Sequence, residues 1–205
     1  MIHFINIVDD DEAVRSSLYT LLATRKNLMI RLFKSGDEFL AAFDELEGGV
    51  VLLDIHMPGA SGLDVLRIMR EDNRGFAAIV ITGQGDIGMA VQAMKLGAFD
   101  FIEKPYDHVT LFGAIDACTA RLGRESASVE RARAARERIR SLSDRELETL
   151  LLLIDGKANK QVALALNVSP RTVEVHRANL MAKLDVGSLP EAVRLAFAAG
   201  IIKED

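Results

Sequence analysis

The chain has 205 residues, 49% of them apolar, and a formal net charge of −5, which is enough to bury a core and favours two compact units. A single cysteine, Cys118, excludes an internal disulfide and suits a packing role in a cytoplasmic protein. The sequence opens with no basic-then-apolar leader and has no run near the ~18 apolar residues of a membrane span, so we expect a soluble protein.

The first 120 residues alternate short apolar runs with segments of helical periodicity. Apolar strands joined by helices indicate a parallel sheet that is covered on both faces. We therefore predict an α/β fold with a doubly wound, five-stranded parallel sheet, whose ligand site lies beyond the carboxyl ends of the strands. The predicted strands are residues 4–8, 29–33, 50–54, 78–82 and 100–104.

Charged and polar residues follow these strands where each one ends. Asp9 and Asp10 follow the first strand, Asp54 ends the third, Thr82 the fourth and Lys104 the fifth. Any one of these aspartates could be a helix cap or a turn residue. Together they predict a site, because carboxylates this close stay ionised only around a cation, and oxygen ligands suit Mg2+. An oxyanion would complete it.

A Gly-x-Gly-x-x-Gly string at residues 83–88 raises the alternative of a dinucleotide site. That fingerprint belongs after the first strand of its unit, with an acidic residue ending the next strand. Here it follows the fourth strand, although Glu103 does lie near the end of the fifth. We expect the glycines to form a mobile loop and not a nucleotide site.

The strings "IVDDDEAV", "LLDIHMPGASG", "VITG" and "FIEKP" resemble, in this order, the receiver domain of two-component response regulators, a flavodoxin-like fold. The resemblance implies that Asp54 accepts a phosphoryl group from a sensor histidine kinase. Thr82 and Lys104 would contact its oxygens, and Phe101 would be the aromatic switch residue. The implied Mg2+ ligands are Asp9, Asp10, Asp54 and the backbone carbonyl of His56.

Three residues depart from the usual receiver pattern. His56 stands two residues after Asp54, and Gln84 stands two residues after Thr82. In receiver domains, the side chains at these two positions border the water that attacks the acyl phosphate. The lifetime of the phosphorylated state can therefore not be inferred from the resemblance. Ala60 replaces a commoner methionine, which should alter packing and not chemistry.

Residues 121–140 carry a net charge of +4, against −8 for residues 1–120 and −1 for residues 141–205. This arginine-rich stretch has little to bury and good helix propensity, so we predict an exposed helical linker. The chain would then comprise a receiver domain (1–120), the linker (121–140) and a C-terminal domain (141–205).

The C-terminal segment has the spacing of a helix-turn-helix. It opens with a capping box of Ser143 and Glu146. A short helix is predicted from about 160 to 166, followed by a turn at Asn167, which takes a left-handed backbone cheaply. A second helix begins at the cap Ser169. We predict a small all-α domain.

On the second helix, Val173, Leu180 and Leu184 share one face and should pack inward. Residues 157–183 carry a net charge of +4, as a DNA phosphate backbone requires, although amphipathic helices with ordinary surface lysines are the alternative.

The string "SPRTVEVHRANLMAKL" resembles the LuxR-type DNA-binding domain, and its combination with a receiver resembles the FixJ-like response regulators. The resemblance implies that residues 170–184 enter the major groove. The residues implied at base edges are Glu174, Val175 and Ala178, and those implied near phosphates are Lys160, Arg171, Thr172 and Arg177. Family members often have lysine where Glu174 and Ala178 stand, so the base contacts transfer least securely.

The last helix carries an apolar stripe that is either core or part of a dimer seam. The stripe consists of Leu189, Ala192, Val193, Ala196 and Phe197. The resemblance suggests a seam at Leu189, Val193 and Ala196, since two-fold DNA sites demand a two-fold protein.

We predict a response regulator transcription factor that is not an enzyme beyond slow self-dephosphorylation. When phosphorylated on Asp54 it would dimerise and bind promoter double-stranded DNA, with RNA polymerase as a further partner. Two alternatives stay open. One is a receiver that acts by protein–protein interaction without DNA; the other is an aspartyl-phosphate phosphatase, disfavoured because His56 stands where its second aspartate belongs.

Overall fold

A computed structural model of the protein describes residues 3–72, 74–83 and 87–202. The chain divides into two compact units, Met1–Ser126 and Ala127–Asp205. Among the described residues, no helix combines the length and the apolar character needed to cross a membrane.

The first unit contains a five-stranded parallel sheet, as predicted, and its strand order is β2-β1-β3-β4-β5. Its strands are β1 His3–Val8, β2 Leu28–Phe33, β3 Val50–Leu53, β4 Ala77–Thr82 and β5 Asp100–Glu103. The helices of this unit are α1 Glu12–Leu22, α2 Gly36–Ala42, α3 Gly62–Glu71, α4 Ile87–Lys95 and the first part of α5 His108–Arg140, and a 3-10 turn spans Phe43–Glu45. The strand order reverses between β1 and β3, which is where a doubly wound sheet opens a crevice.

The central strands β3 and β4 are buried on both faces of the sheet, which explains why they are almost entirely apolar. On β3, Val50 and Leu52 pack into one core cluster, whereas Val51 and Leu53 pack into the other. The first cluster also contains Cys118 of α5. Burial raises the pKa of the Cys118 thiol to about 12, so this cysteine packs and stays protonated, as predicted.

The predicted linker lies within α5, which runs without interruption from His108 to Arg140. The stretch is helical, as predicted, and most of its residues are exposed, but two of them are buried. Ala135 and Ile139 are buried in a cluster with Leu150 and Leu180 of the second unit. The C-terminal end of the stretch is therefore part of that unit's core and is not an exposed linker.

The second unit is all-α, with α6 Asp144–Ile154, α7 Asn159–Leu166, α8 Pro170–Leu184 and α9 Leu189–Ala199 after the end of α5. The predicted capping box is present: the Ser143 N–H donates to Glu146 Oε2 at 2.8 Å, and the Glu146 N–H donates to Ser143 Oγ at 3.4 Å. Asn167 ends α7 with φ of 54°, as the turn requires. The predicted helix-turn-helix is thus formed by α7, this turn and α8.

Candidate functional site

A pocket of about 340 Å³ opens at the carboxyl end of the sheet. The loops after β1, β3, β4 and β5 all contribute to it, because parallel strands end at the same edge. Its lining residues are Asp9, Asp10, Asp11, Val14, Asp54, His56, Gly83 and Lys104. Four of the five residues predicted to converge from the strand ends therefore line one pocket, and the fifth, Thr82, directly precedes Gly83.

Lys104 joins two of the carboxylates in this pocket. Its Nζ donates to Asp9 Oδ2 at 2.7 Å and to Asp54 Oδ1 at 3.0 Å. Burial lowers the pKa of Lys104, but these hydrogen bonds and the two negative charges outweigh that effect, and the pKa is raised above its usual 10.5. Lys104 is therefore a cation at neutral pH, placed to neutralise charge on either aspartate.

Asp9 is almost completely buried at the end of β1. Its Oδ1 accepts the Asp11 N–H at 2.9 Å, and its backbone carbonyl accepts a hydrogen bond of 2.7 Å from Arg15 on α1. Burial raises the pKa of Asp9 above 3.8, despite the opposing hydrogen bonds from Lys104 and the Asp11 N–H. Sequence reasoning missed Arg15, whose place on the first turn of α1 was its only signal.

Asp54 follows β3 and is 7% exposed. Its Oδ2 accepts the backbone N–H of His56 at 2.6 Å, while Oδ1 accepts from Lys104. Both oxygens of this carboxylate are thus oriented by donors, and the group faces the pocket. An oriented carboxylate beside a cation is suited to nucleophilic attack on a phosphorus atom.

Thr82, at the end of β4, is fully buried. Its Oγ1 lies 3.3 Å from Nδ1 of the His56 ring. Phe101 of β5 is half-buried and packs against the core cluster that contains Val80 and Ala93. The sequence predicted a backbone carbonyl of His56 at the metal and a place for His56 beside the attacking water, but not the contact of its ring with Thr82.

The donors of the pocket fit a magnesium ion in type. Among the residues that the structure describes, no three histidine, cysteine or acidic side chains are grouped closely enough to hold a metal by themselves. Magnesium does not require such a cage, because it keeps several waters and binds through one or two carboxylates. Oxygen donors of Asp9, Asp10 and Asp54 line the same pocket and meet that requirement.

The glycine string borders this pocket through its first residue. Gly83 is part of the lining, whereas Gln84, Gly85 and Asp86 lie outside the described residues. The predicted loop mobility, and the effect of Gln84 on the phosphorylated state, therefore stay predictions.

In the second unit, α8 has one buried and one exposed face. Val173, Leu180 and Leu184 are fully buried, as predicted. The residues predicted to face base edges, Glu174, Val175 and Ala178, are all exposed. Val175 is 52% exposed, so about half of an apolar side chain is open at this face. The surface needed for DNA contact is thus available.

The residues predicted to lie near phosphates differ in their surroundings. Lys160 on α7 and Arg171 on α8 are exposed, whereas Thr172 and Arg177 are half-buried. The Thr172 hydroxyl lies 2.8 Å from Ser169 Oγ, and the Thr172 N–H donates to the same oxygen at 3.1 Å. Thr172 therefore takes part in the cap of α8.

Lys183, which contributes to the basic character of residues 157–183, is paired within the protein. Its Nζ donates to Glu146 Oε2 at 2.7 Å, joining α8 to α6. This hydrogen bond, with the Ser143 N–H, lowers the pKa of Glu146 below 4.5. Lys183 thus links α8 to α6, whereas the exposed Arg171 lies at the N-terminal end of α8.

The apolar stripe of α9 is mainly core. Ala192 and Ala196 are fully buried, and Leu189 packs against the cluster of Leu153 and Val162. Ala196 therefore faces its own unit and not a second copy, which corrects its place in the predicted seam. Leu189 and Val193 are half-buried and Phe197 is 39% exposed, so these three remain partly available at the surface.

Two protein families match this chain in separate segments. The response regulator receiver domain matches residues 5–116. The luxR family of bacterial regulatory proteins matches residues 140–196.

Several proteins and solved structures are similar to this chain over nearly its whole length. The transcriptional regulatory protein FixJ of Rhizobium meliloti (strain 1021) is 43% identical, over 96% of each chain. The response regulator protein TodT of Pseudomonas putida (strain F1) is 40% identical over 93% of this chain and 84% of its own. The structure of the response regulator StyR gives a TM-score of 0.84 at 34% identity, covering 96% of this chain and 99% of that one. Full-length FixJ from B. japonicum gives 0.60 at 39% identity, covering 98% of both.

Proposed function

The chain belongs to the FixJ-like response regulators, DNA-binding transcription factors that combine a receiver domain with a LuxR-type domain, and we propose that a phosphoryl group on its Asp54 controls its binding to DNA. Receiver function would lie in residues 1–120 and DNA binding in residues 141–205, with residues 121–140 joining them. The observation that carries this proposal is the Asp54 carboxylate, which faces the acidic pocket with both oxygens oriented by donors.

The phosphoryl donor is the phosphohistidine of a sensor histidine kinase. An Asp54 oxygen attacks the phosphorus, the bond between phosphorus and the histidine nitrogen breaks, and an acyl phosphate forms on Asp54. Such transfers pass through a loose transition state that needs alignment and charge neutralisation more than a strong nucleophile. The His56 N–H orients the carboxylate, and Lys104 neutralises charge on the transferred group.

Magnesium would be held by Asp9, Asp10, Asp54 and the backbone carbonyl of His56, and when bound it would neutralise phosphoryl charge. The carboxylates and Lys104 supply the rest of the site. The chain is a phosphoryl acceptor, and at most it hydrolyses its own acyl phosphate slowly.

The acyl phosphate places new negative charge beside Thr82, and the Thr82 hydroxyl gains a strong acceptor by turning toward it. That movement vacates space for Phe101 to turn inward from its half-buried position. The surface formed by α4, β5 and α5 then changes, and dimerisation follows. Coupling to dimerisation can supply the several kcal/mol needed to shift a two-state population.

In the second unit, α8 would enter the major groove of promoter DNA in the cytoplasm. Glu174, Val175 and Ala178 would face base edges. Lys160, Arg171, Thr172 and Arg177 would lie near phosphates. A carboxylate accepts from cytosine N4, and small apolar groups contact the thymine methyl, so these residue types favour cytosine and thymine.

Two-fold DNA sites require a homodimer. Leu189 and Val193 of α9 would contribute to its seam, and RNA polymerase would be a further partner at the promoter.

The test of the phosphorylation site is the substitution Asp54→Asn. Incubation with a phosphorylated histidine kinase or labelled acetyl phosphate should label the unaltered chain, whereas D54N should take up no label. Asp44→Asn is the matched control, because the Asp44 side chain is 99% exposed and lies outside the pocket. Label that persists on D54N at the level of D44N would mean that another residue is the acceptor.

A further inference from the structure

The Thr82 hydroxyl contacts an imidazole ring that the phosphorylation chemistry does not use. Thr82 is fully buried, and its Oγ1 lies 3.3 Å from Nδ1 of His56. The imidazole belongs to the loop after β3, and the hydroxyl belongs to the end of β4. The contact therefore links the loop that follows the phosphorylated residue to the residue that would respond to phosphorylation.

The loop that carries His56 is held firmly on both sides. Ile55 and Met57 are buried in the core cluster that also contains Val51 and Leu53 of β3. The His56 N–H donates to Asp54 Oδ2 at 2.6 Å, and further along the loop the Ala60 N–H donates to Asp37 Oδ2 at 3.1 Å. Since the backbone is fixed at these points, the ring is directed toward Thr82 by the fold.

We propose that His56 is a positioning residue that competes with the phosphoryl group for the Thr82 hydroxyl. The proposal rests on the function proposed above. A distance of 3.3 Å is at the long end of the range for hydrogen bonds, so a small displacement of Oγ1 breaks the contact. In this proposal, the turn of Thr82 toward a phosphoryl group on Asp54 carries Oγ1 away from the ring, and this contact is then lost whichever of the two groups donates. The His56 ring therefore favours the unphosphorylated arrangement.

Competition for the Thr82 hydroxyl should lower the affinity of the chain for beryllofluoride, a phosphoryl mimic. Replacing His56 by alanine removes the competitor, so His56→Ala should bind beryllofluoride more tightly than the unaltered chain in the presence of Mg2+. A single hydrogen bond corresponds to a gain of about 2- to 10-fold. This affinity is measured directly by titrating the full chain with beryllofluoride and monitoring the fluorine NMR signal of the bound form. No enzymatic activity is needed.

Two single variants serve as controls. His56→Asn keeps a hydrogen-bonding group near the position of Nδ1, so it should stay close to the unaltered affinity. His108→Ala removes the same ring from the first residue of α5, outside the pocket, and should also leave the affinity unchanged.

A double-mutant cycle tests whether His56 acts through Thr82. Thr82→Val removes the hydroxyl at similar volume, and in this background His56→Ala should bring no further gain. An equal gain in both backgrounds, or no gain in the single variant, would overturn the proposal while leaving Asp54 as the acceptor. If the unaltered chain binds no beryllofluoride with Mg2+, the phosphorylation pocket and the His56 proposal both fail.

Discussion

Burial and ion pairing oppose each other at the acidic pocket. Lys104 bridges Asp9 and Asp54, and those two carboxylates raise its pKa against the effect of burial. Asp9 shows the opposite balance, because burial raises its pKa even though Lys104 lies 2.7 Å away. The pocket is thus arranged for chemistry at some cost in stability, as functional sites often are.

This balance predicts that Asp9→Asn stabilises the protein at neutral pH in the presence of a chelator. The pKa of Asp9 is raised above 3.8 on folding, so the folded chain holds the proton more tightly than the unfolded chain. Stability therefore falls as pH rises from about 3.8 through the folded pKa, and it stays lowered at pH 7. The neutral amide of the variant avoids that loss, and the gain should be on the order of 1 kcal/mol.

Urea unfolding of the two chains at several pH values measures this difference. The advantage of the variant should disappear below pH 3.8, where Asp9 is protonated in both states. Asp44→Asn, at an exposed position, should show no such dependence. A variant that is less stable than the unaltered chain at pH 7 would mean that the Lys104 ion pair outweighs the cost of burial.

This pocket could be predicted from the sequence, because its position follows from where the parallel strands end. Asp54 and Lys104 are far apart in the chain, yet both follow strands that end at one edge of the sheet. The contacts of His56 with Thr82 and of Arg15 with the Asp9 carbonyl escaped prediction. They depend on the conformations of a loop and a helical turn, which no periodicity encodes.

The ends of the helices could be predicted from the sequence, whereas the packing of one helix against others could not. Ser143, Asn167 and Ser169 act on backbone groups within three or four residues, so their positions predicted the helix ends correctly. The stretch 121–140 was predicted to be exposed because it has few apolar residues. Ala135 and Ile139 are four residues apart, and burial in the second unit's core makes them part of a packed face.

The exposed face of α8 leads to a prediction about salt dependence. Arg171 lies in the first turn of α8 and is exposed, so we expect it to neutralise one phosphate. Arg171→Ala should weaken binding to many DNA sequences about equally and reduce the slope of log affinity against log salt by about 1.

Fluorescence anisotropy at several salt concentrations measures that slope. Arg194→Ala, an exposed arginine on α9, is the control and should keep the slope of the unaltered chain. If Arg171→Ala leaves the slope unchanged, the DNA-contacting face lies elsewhere on the unit.

The whole molecule comprises two units with different chemistry. The acidic first half carries the pocket lined by Asp54, and the second unit carries the exposed face of α8. The order of the strands and helices along the chain was predictable, because each element has its own local pattern. Burial of the end of α5 was not, because it depends on packing against elements that follow it in sequence.

On the proposed function, phosphorylation of Asp54 increases the affinity of the full chain for DNA. The most direct measurement is anisotropy titration of a DNA site selected from a random pool, with and without acetyl phosphate and Mg2+, for the unaltered chain and for Asp54→Asn. Dimerisation coupled to phosphorylation predicts a gain of about 10-fold or more in the unaltered chain, since each factor of 10 needs only about 1.4 kcal/mol of coupling. D54N should show no gain. An equal gain in D54N, or equal affinity with and without acetyl phosphate in the unaltered chain, would mean that phosphorylation of Asp54 does not control DNA binding.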